Sequence, residues 1–337
     1  MKLNREALLQ KLQSISPGLS TKDVIEQSST YVFKDGRIIT FNDEVSCSID
    51  SPIEDAECSV PSKPLLSILE KLKDEEITVE VTDDYFCVKG KNNRTRIRMD
   101  KEILLPIEAV EPPDKWKKLP SDFCEAVGLV QTCAGDDASD FKMTCVRITN
   151  KYLEACDNHQ MIRWNTETPI KDCLLKSGSV KHVSRLGMSK ASVTDSWVHF
   201  KNETGLVLSC RKWNNEDYPD LSEILKTTGV KSVLPVGLGE AVERASVFCE
   251  SDITSGSVEV KIKGSKLVLK SYGPYGDYEE RTKIKYDGEP MRFRASPRLL
   301  AAIASRTKDC ILTETRLKTE TDKWTCVVCL ARVGKDE

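Results

Sequence analysis

The chain of 337 residues has only three histidines, and no apolar run approaches the roughly 20 residues that span a bilayer. Its first residues, MKLNREALLQ, lack the apolar core of a secretory signal peptide. The formal net charge is −3, which by itself argues against a general nucleic-acid-binding protein. An apolar fraction of 39% with 31% charged residues is typical of a folded protein of two or three domains. We therefore predict an intracellular protein that does not enter a membrane.

The 13 cysteines are spread thinly, which is typical of reduced thiols in apolar slots rather than of a disulfide scaffold. Cys326 and Cys329 form a C-x-x-C pair in a run with strand character, where positions three apart point to opposite faces. No second C-x-x-C completes a four-ligand zinc site. The stretch VGLGEAV at 236–242 has valine in place of the third glycine of a dinucleotide-binding loop. The sequence predicts neither a metal site nor a cofactor.

One stretch, EACDNHQMIRW at 154–164, places Cys156, Asp157 and His159 within four positions, and these residue types form nucleophile pairs or bind metals. A Cys/His hydrolase also needs an oriented base and an oxyanion site, and the sequence offers no third partner. No other histidine or acidic cluster shares the spacing of His159, which argues against a metal. A histidine hydrogen-bonded in a turn at a strand end is a further explanation. We predict no catalytic residue.

Internal repetition is the strongest signal in the sequence. Three segments that begin roughly 115 residues apart resemble one another, namely LNREALLQKLQSIS at 3, LPSDFCEAVGLVQTC at 119 and LPVGLGEAVERASVFC at 234. Apolar residues at helical spacing, such as Leu8, Leu9 and Leu12, predict amphipathic helices. Each segment precedes two runs of alternating or β-branched residues around a turn, which predicts a hairpin. The turns are Asp35-Gly36, Asn150-Lys151 and Gly264-Ser265.

A second helix recurs in each repeat, with a serine as its expected N-cap, before further strands. These segments begin VPSKPLL at 60, SGSVKHV at 177 and RASPRLL at 294. Proline-bearing or charged joins at IEAVEPPDKWKK and ILKTTGVKS separate the repeats. The sequence therefore predicts an α+β fold built from three copies of one unit, with domains at 1–113, 114–227 and 228–337.

Basic residues recur on the predicted helices, whereas acidic residues collect in turns such as GDDASD and NNEDYPD. A solvated helix face explains any single cluster. Six helices with basic outer faces that point one way would make a repeated positive surface, which suits the phosphate backbone and ignores base sequence. The residues predicted to face DNA are Arg5, Lys11, Lys63, Lys71, Lys73, Lys181, Arg185, Lys190, Arg244, Arg298 and Arg306.

With these features, nearly the whole chain resembles the bacterial-type sliding clamp, the β subunit of the replicative DNA polymerase III, in a divergent bacterial or phage version. The resemblance rests on the threefold repeat, FKDGRIITFND, LEACDNHQMIRW in place of an A-T-D-G-H-R-L-like stretch, DYPD before Ile224 and Leu225, and a valine-rich C-terminal strand. It implies three tandem copies of the DNA-clamp fold in a head-to-tail homodimer, with helices lining a ring and sheets outside. It also implies a non-enzymatic processivity factor that encircles duplex DNA.

In this family the D-G-H-R-like stretch lines a groove that receives short peptides, with an apolar floor and a polar rim. Asn158 stands where glycine is usual, Gln160 replaces a common arginine, Ala331 replaces a larger residue, and GKDE at 334–337 extends the usual end. These departures leave the peptide preference open. The groove residues implied are Asp157, Asn158, His159, Gln160, Met161, Pro219, Ile224, Val327, Val328, Cys329, Leu330, Ala331, Arg332 and Val333, of which Met161, Pro219, Ile224, Val327, Val328 and Leu330 are expected to hold the anchor.

The resemblance further implies that the first domain of one chain meets the third domain of another across sheet-edge strands. The interface residues implied are Arg94, Arg96, Ile97 and Met99 with Val247, Phe248, Asp277, Glu279 and Glu280. The implied partners are double-stranded DNA, DNA polymerase, a clamp loader and a second copy of the chain, in the cytoplasm of a bacterium or of a phage-infected host. A β-rich structural protein, such as a virion component, and a Cys/His hydrolase are the alternative functions.

Overall fold

The computed structural model describes residues 1–22, 25–110, 113, 115–214, 218–249 and 256–333. Asp114, where the second domain is predicted to begin, and the C-terminal GKDE lie outside these residues. Within the described part, seven α-helices and 26 β-strands confirm the predicted α+β class. The helices are α1 (Arg5–Ser14), α2 (Ser62–Lys71), α3 (Phe123–Val130), α4 (Ser177–Arg185), α5 (Ser222–Leu225), α6 (Leu238–Ser246) and α7 (Pro297–Arg306).

The strands are short, with two to eight residues each. In chain order they are β1 (Lys2–Asn4), β2 (Thr30–Lys34), β3 (Arg37–Phe41), β4 (Val45–Asp50), β5 (Cys58–Pro61), β6 (Glu76–Val81), β7 (Tyr85–Lys89), β8 (Arg94–Arg98), β9 (Lys117–Lys118), β10 (Cys145–Ile148), β11 (Tyr152–Cys156), β12 (Gln160–Asn165), β13 (Cys173–Lys176), β14 (Lys190–Val193), β15 (Trp197–Lys201), β16 (Val207–Arg211), β17 (Val230–Val233), β18 (Val258–Lys263), β19 (Lys266–Gly273), β20 (Gly276–Lys283), β21 (Lys285–Tyr286), β22 (Met291–Ala295), β23 (Asp309–Leu312), β24 (Arg316–Glu320), β25 (Trp324–Cys329) and β26 (Ala331–Arg332).

Helix α1 shows why the predicted helices form where they do. The side-chain oxygen of Asn4 accepts the N–H of Ala7 at 2.9 Å and caps the helix. Leu8, Leu9 and Leu12 are buried on one side, as their spacing predicts. Helices α1 and α2, α3 and α4, and α6 and α7 pack in pairs, so the predicted helix and strand order recurs three times. None of the described helices is both long and apolar enough to cross a membrane.

Of the predicted serine caps of the second helices, those of α2 and α4 are wrong, whereas Ser296 is the N-cap residue of α7. Ser62 and Ser177 are the first residues inside α2 and α4, one position beyond the cap. Ser296 does precede α7, but its side chain makes no capping hydrogen bond. The hydroxyl of Ser62 donates instead to the carbonyl of Ser29, at 2.5 Å. The point where the incoming strand ends, rather than the residue type, sets these helix starts.

The structure divides into two compact units. The first unit contains Met1–Thr132, Cys145–Lys151 and Thr166–Glu216. Its strands run in the orders β1-β6-β7-β8 and β5-β2-β3-β4-β16-β15-β14-β9, and β10 pairs with β13. Strand β8 is therefore an edge strand, with a partner on one side only among the described residues.

The second unit contains Cys133–Thr144, Tyr152–Asn165 and Asp217–Glu337. Its strands run in the orders β11-β12-β25-β24-β23-β17-β21 and β20-β19-β18-β22-β26, so β20 is also an edge strand in the described part. Helices α6 and α7 close a core that includes Val242, Leu300 and Phe293. The three domain boundaries drawn from the sequence divide the chain differently and stay a prediction.

Two strand pairs join the predicted repeats. We name the pairing of β4 with β16 the first junction and the pairing of β12 with β25 the second junction. Ser46 lies opposite Ser209 in the first junction, and Met161 lies opposite Val327 in the second. All four residues are on the sheet face that points away from the helices, because alternate residues of each strand face the helix pairs.

Both junctions end in the same hydrogen bond. In the first, the N–H of Arg211 donates to the carbonyl of Glu44 at 2.9 Å; in the second, the N–H of Cys329 donates to the carbonyl of His159 at 2.7 Å. Glu44 and His159 are each the second residue of a two-residue turn, and Ser46 and Met161 follow them by two residues. On the partner strands, Ser209 and Val327 precede Arg211 and Cys329 by two residues. The two junctions therefore share one register.

Candidate functional site

The stretch EACDNHQMIRW forms the turn between β11 and β12. Asp157 Oδ1 accepts the N–H groups of His159 at 2.7 Å and of Gln160 at 2.8 Å. The side-chain amide of Gln160 donates to Asp157 Oδ2 at 3.2 Å. Asn158 and His159 are exposed at the tip. Asp157 thus organises the turn through its own backbone neighbours, as aspartate commonly does, and His159 offers its carbonyl to the second junction.

Cys156 precedes this turn and is buried. Its Sγ lies 3.4 Å from Met143 Sδ and 3.8 Å from the hydroxyl oxygen of Tyr218. Burial raises the pKa of the Cys156 thiol to about 11, so the thiol is protonated and poorly nucleophilic near neutral pH. No described set of three or more His, Cys, Asp or Glu side chains could hold a metal ion. The arrangement supports neither a cysteine hydrolase nor a metal centre.

Strand β25 presents side chains to two faces of its sheet. Cys326 is buried and Cys329 is exposed, which confirms that this C-x-x-C pair points to opposite faces. The side of Cys326 is closed by α7, where Arg306 Nη1 lies 3.8 Å from Cys326 Sγ. A pair that faces opposite ways cannot share one metal ion.

The same alternation divides the predicted groove floor. Met161 and Val327 lie opposite each other on the outer face and are buried, at 6% and 0% exposure, and α5 contacts the strand that carries Val327. Val328 and Leu330 belong instead to the core under α6 and α7. Only Met161 and Val327 of these four are on the side where a peptide could lie.

The wall of the predicted groove comes from the segment around α5. Pro219 and Ile224 are half-buried on it. The carboxylate of Asp220 accepts the N–H of Ser222 at 2.9 Å where α5 begins. At its end, Arg316 Nη1 donates to Thr227 Oγ1 at 3.2 Å and ties the segment to β24. The structure thus brings the turn, the α5 segment and the exposed end of β25 into the second unit's outer surface.

The last predicted groove residues lie on another sheet. Ala331 and Arg332 form β26, which pairs with β22, and Val333 follows half-buried. Arg332 Nη2 lies 2.8 Å from Glu314 Oε2, with both side chains largely exposed. Strand β25 ends at Cys329, so these three residues do not continue its outer face.

The residues predicted to face DNA differ between the two helices of each pair. Five cations on or beside α2, α4 and α7, the second helices, are exposed and have no ion pair or hydrogen bond within the described residues. They are Lys63, Lys71, Lys73, Arg185 and Arg298; Lys181 is half-buried and likewise unpaired there. Among the residues predicted to face DNA, those on or beside the second helices are the ones without a charged or hydrogen-bonding partner in the described part of the chain.

Cations on the first helices are engaged within the chain. Arg5 donates to the carbonyl of Leu69 at 2.9 Å, and Lys11 donates to a backbone carbonyl at 3.0 Å. Arg244 makes a two-pronged pair with Glu280, at 2.8 and 3.0 Å, and this contact raises the pKa of Arg244. Helix α3, FCEAVGLV, has no lysine or arginine. Glu280, predicted for the interface, is likewise engaged by its own chain.

Lys190 lies on the opposite side of its sheet from the helices. It is paired with Lys201, whereas the next pair along, Ala191 with Phe200, faces α3. The rings of Phe200 and Phe123 on α3 are 6.0 Å apart between centroids. Because neighbouring strand residues alternate faces, Lys190 points away from the helix layer.

His182 lies on α4 and was not singled out from the sequence. Burial, followed by the charges of Lys181 and Arg185, lowers the pKa of His182 to about 4. Its ring is neutral at physiological pH. Lys181 and Arg185 are four residues apart and so share one face of α4, and the basic neighbours of His182 in the sequence were the only available signal.

Residues predicted for the interface in the first domain lie on the edge strand β8 or directly after it. Arg94 and Arg96 are exposed on one face, and Ile97 is buried on the other. The guanidinium of Arg96 lies 5.2 Å from the ring centroid of Tyr85. Met99 follows the strand and is buried.

The corresponding residues of the third domain lie on or beside the edge strand β20. Asp277 and Glu279 are exposed on it. Val247, 76% exposed, and Phe248 follow α6, and the Phe248 ring stacks on Tyr278 of β20 with centroids 6.3 Å apart. The structure thus places all of these residues at two sheet edges, one basic and one acidic.

No protein-family model matches the sequence, and no curated protein matches it. Solved structures match it over almost its whole length. A sliding clamp (DNA polymerase III subunit beta) from Bartonella birtlesii, bound to griselimycin, is 16% identical over 99% of both chains, with a TM-score of 0.85. The DNA polymerase III β subunit from Thermotoga maritima is 17% identical over 99% of both chains, with a TM-score of 0.83. The sliding clamp from Pseudomonas aeruginosa is 16% identical over 99% of both, with a TM-score of 0.81.

Identity this low shows the fold, and the coverage shows that the likeness includes all three repeats. The chain has the DNA-clamp fold in three tandem copies, as found in bacterial DNA polymerase III β subunits, which confirms at the level of the fold the resemblance seen in the sequence.

Proposed function

We propose that the protein is a sliding clamp, a processivity factor that encircles duplex DNA as a homodimer and holds a DNA polymerase on it. The observation that carries the proposal is the match to sliding clamps over 99% of this chain and of theirs. In this role the chain is not an enzyme, is placed on DNA by a clamp loader, and works in the cytoplasm of a bacterium or of a phage-infected cell.

The two junctions support a ring. Strand β8 has the place in its repeat that β16 and β25 have in theirs, and β20 has the place of β4 and β12. Both are left at sheet edges among the described residues. A head-to-tail pairing of β8 with β20 of a second chain would repeat the junction and close six domains, three from each chain at 1–113, 114–227 and 228–337.

The cations of α2, α4 and α7 support DNA binding without sequence preference. Exposed lysines and arginines that lack an ion pair can meet phosphates, and such contacts carry no information about bases. We assign this role to Lys63, Lys71, Lys73, Lys181, Arg185 and Arg298. The other predicted cations, Arg5, Lys11, Lys190, Arg244 and Arg306, are held by the chain or point elsewhere.

The surface beside the second junction supports peptide binding. His159 and Cys329 are exposed, Pro219 and Ile224 are half-buried, and Met161 is buried on the outer face. A few polar groups around apolar side chains suit a short linear peptide from a polymerase, a loader or a repair protein. The polymerase and these proteins are thus the proposed occupants of one shared surface.

A topology experiment tests the function. After loading onto nicked circular DNA, the protein should stay bound through gel filtration and should leave once the circle is cut at one site. Linear DNA with bulky blocks at both ends serves as the control and should retain the protein, since a ring leaves only over a free end. A virion structural protein predicts equal retention on open linear and circular DNA, and that result would exclude the clamp.

A further inference from the structure

The sheet that contains β20, β19, β18 and β22 carries exposed lysines on its outer face. Val260, Ile262 and Leu267 belong to the core under α6 and α7. Because neighbouring strand residues alternate faces, the residues next to these three lie on the side of the sheet that points away from the helices. Four exposed lysines lie on that side, and we name them the lysine cluster: Lys261, Lys263, Lys266 and Lys283.

Three lysines of the cluster lie directly opposite one another. Lys263 is paired with Lys266 across β18 and β19, and Lys266 is paired with Lys283 across β19 and β20. Lys261 lies two residues before Lys263 on the same face. Neighbouring strands are about 5 Å apart and alternate residues about 7 Å apart, so the four side chains start within a patch about 10 Å wide. Like charges directly opposite each other destabilise a sheet, and a bound anion would remove that cost.

The side chains of the lysine cluster make no ion pair and no hydrogen bond within the described residues. The acids nearest to them along the strands are engaged by arginines. Arg281 pairs with Glu279 at 2.6 Å. Arg292 lies opposite Lys261 and pairs with Glu259 at 2.7 Å. The lysines therefore keep their positive charge available for a molecule outside the chain.

The first repeat has cations in the corresponding places, but acids neutralise them. Lys34 and Arg37 stand on either side of the turn of the hairpin β2–β3, and Lys34 Nζ lies 3.1 Å from Glu108 Oε1. Arg37 Nη1 lies 2.9 Å from Asp50 Oδ1. Asp50 is opposite Arg37, in the place that corresponds to Lys283. The fold thus accepts paired charges at these positions, so the unpaired lysines are not a requirement of the fold.

We propose that the lysine cluster binds the phosphate backbone of duplex DNA on the face of the last sheet that points away from the helices. This site goes beyond the proposed function, in which encircled DNA meets the helices on the other side of the sheets. A DNA duplex has about one negative charge per 1.7 Å of its axis, so several phosphates lie within reach of a patch of this width.

The neighbours of the lysine cluster favour a contact to the backbone alone. The residues paired with its lysines are Val268, Arg292 and other lysines of the cluster. This set includes no aromatic ring on which a base of a single strand could stack, and one valine does not make the apolar pocket that anchors a peptide. Lysine meets a phosphate as a point charge and reads no base. Binding at this face is therefore independent of DNA sequence and weakens as salt rises.

Covalently closed circular duplex DNA without a loader is the probe for this site, because a closed protein ring cannot be threaded onto it. The full chain should bind this DNA at about 0.05 M sodium chloride in a mobility-shift assay. Lys263→Gln/Lys266→Gln/Lys283→Gln should weaken the binding at least about tenfold. The slope of log K against log salt should fall in magnitude by about 2 to 3, since each phosphate contact contributes about 0.9.

The matched control removes three charges from the helix side. Lys63→Gln/Lys71→Gln/Arg298→Gln should bind the closed circle as the wild type does. All three lysines of the first variant are exposed, so its circular dichroism and unfolding midpoint should match the wild type. Equal binding by the wild type and the first variant, or an equal loss in the helix-side control, overturns the outer site.

Two further measurements separate this site from other occupants and from the clamp. Poly-glutamate that displaces the circle at a lower concentration of charge than duplex DNA does would assign the cluster to an acidic protein segment and overturn the proposal. Retention on nicked circular DNA after loading should be the same in the wild type and in the first variant. If the wild type lacks that retention but binds closed circles through the lysine cluster, the clamp is overturned and the outer site stands.

Discussion

The first and second junctions have the same backbone register but differ in the side chains on their outer faces. On the outer face of the first junction, Trp197 is fully buried with Phe41 and Leu105. Trp197 Nε1 donates to the carbonyl of Ala109 at 3.0 Å. The chain that leaves the first repeat thus lies over its own junction and closes it. At the second junction, the position of Trp197 is taken by Arg316, which is half-buried and lies opposite the exposed Cys329.

Backbone pairing therefore sets the register of each junction, whereas individual side chains determine whether its outer face can bind another molecule. The two-residue turns that precede β4 and β12 are alike, which is consistent with the shared register of the two junctions. Whether a junction can bind anything depends on single positions such as Trp197 and Arg316. A fold match alone cannot locate a binding surface, because the same position carries a buried tryptophan at one junction and a half-buried arginine at the other.

A second difference is a buried charge. Glu154 and Arg163 lie opposite each other in the second unit, where the first unit has Ile39 opposite Ser48. The Glu154 side chain is 0% exposed and lies 2.7 Å from Arg163 Nη2. The Arg163 guanidinium also lies 4.3 Å from the ring centroid of Tyr152. The hairpin β11–β12 thus contains an ion pair where the hairpin β3–β4 has an apolar and a small polar residue.

Removing the tryptophan should have the largest effect on stability. Trp197→Ala should lower the free energy of unfolding by about 4 kcal/mol, since it deletes a fully buried ring and a buried hydrogen bond. Urea denaturation followed by circular dichroism measures the change. The control is Trp213→Ala, which removes a 39% exposed ring and should cost about 1 kcal/mol or less. Equal losses in both variants would show that the first junction is not closed by Trp197.

Breaking the ion pair should have the next largest effect. Arg163→Ser leaves the Glu154 carboxylate buried without its cation and should cost about 3 kcal/mol, at the low end for such pairs because Arg163 is partly exposed. The double variant Glu154→Ile/Arg163→Ser installs the residues of the hairpin β3–β4 and should recover at least half of the loss. A double variant as unstable as the single one would show that an isoleucine and a serine cannot replace the ion pair, and the comparison of the two hairpins would fail.

Periodicity predicted much of this fold and part of the site. The buried stripe of α1 and the turn at Asp157 follow from local pattern. Alternation along β25 was sufficient to separate Cys326 from Cys329, and it also separates Val327 from Val328, although the predicted groove floor joined them. The groove floor stays a prediction, and of Val327 and Val328 only Val327 lies on the outer face.

The available cations could not be predicted in this way. Arg5 and Arg244 have the same local sequence character as Lys63 and Arg298. They differ because Leu69 and Glu280, distant in sequence, hold them. Whether a surface charge is available is decided by tertiary neighbours, which no helical pattern contains.

The smallest effect we expect is on peptide binding at the second junction. Ile224→Ala shortens a half-buried side chain on the α5 segment and should weaken the binding of a polymerase tail peptide by about 1–2 kcal/mol, as expected for the loss of an anchoring contact. Fluorescence anisotropy with a labelled peptide measures the affinity, and sedimentation confirms that the dimer is unchanged.

Leu330→Ala provides the matched control, because Leu330 was assigned to the same groove from the sequence but lies in the core under α7. This variant should lose about 2–3 kcal/mol of stability, as a buried leucine does, and should bind the peptide with unchanged affinity at a temperature where it stays folded. The reverse pattern, in which Leu330→Ala weakens peptide binding and Ile224→Ala does not, would place the docking surface on the helix side of β25 and would contradict the assignment of the peptide surface to the outer face of the second junction.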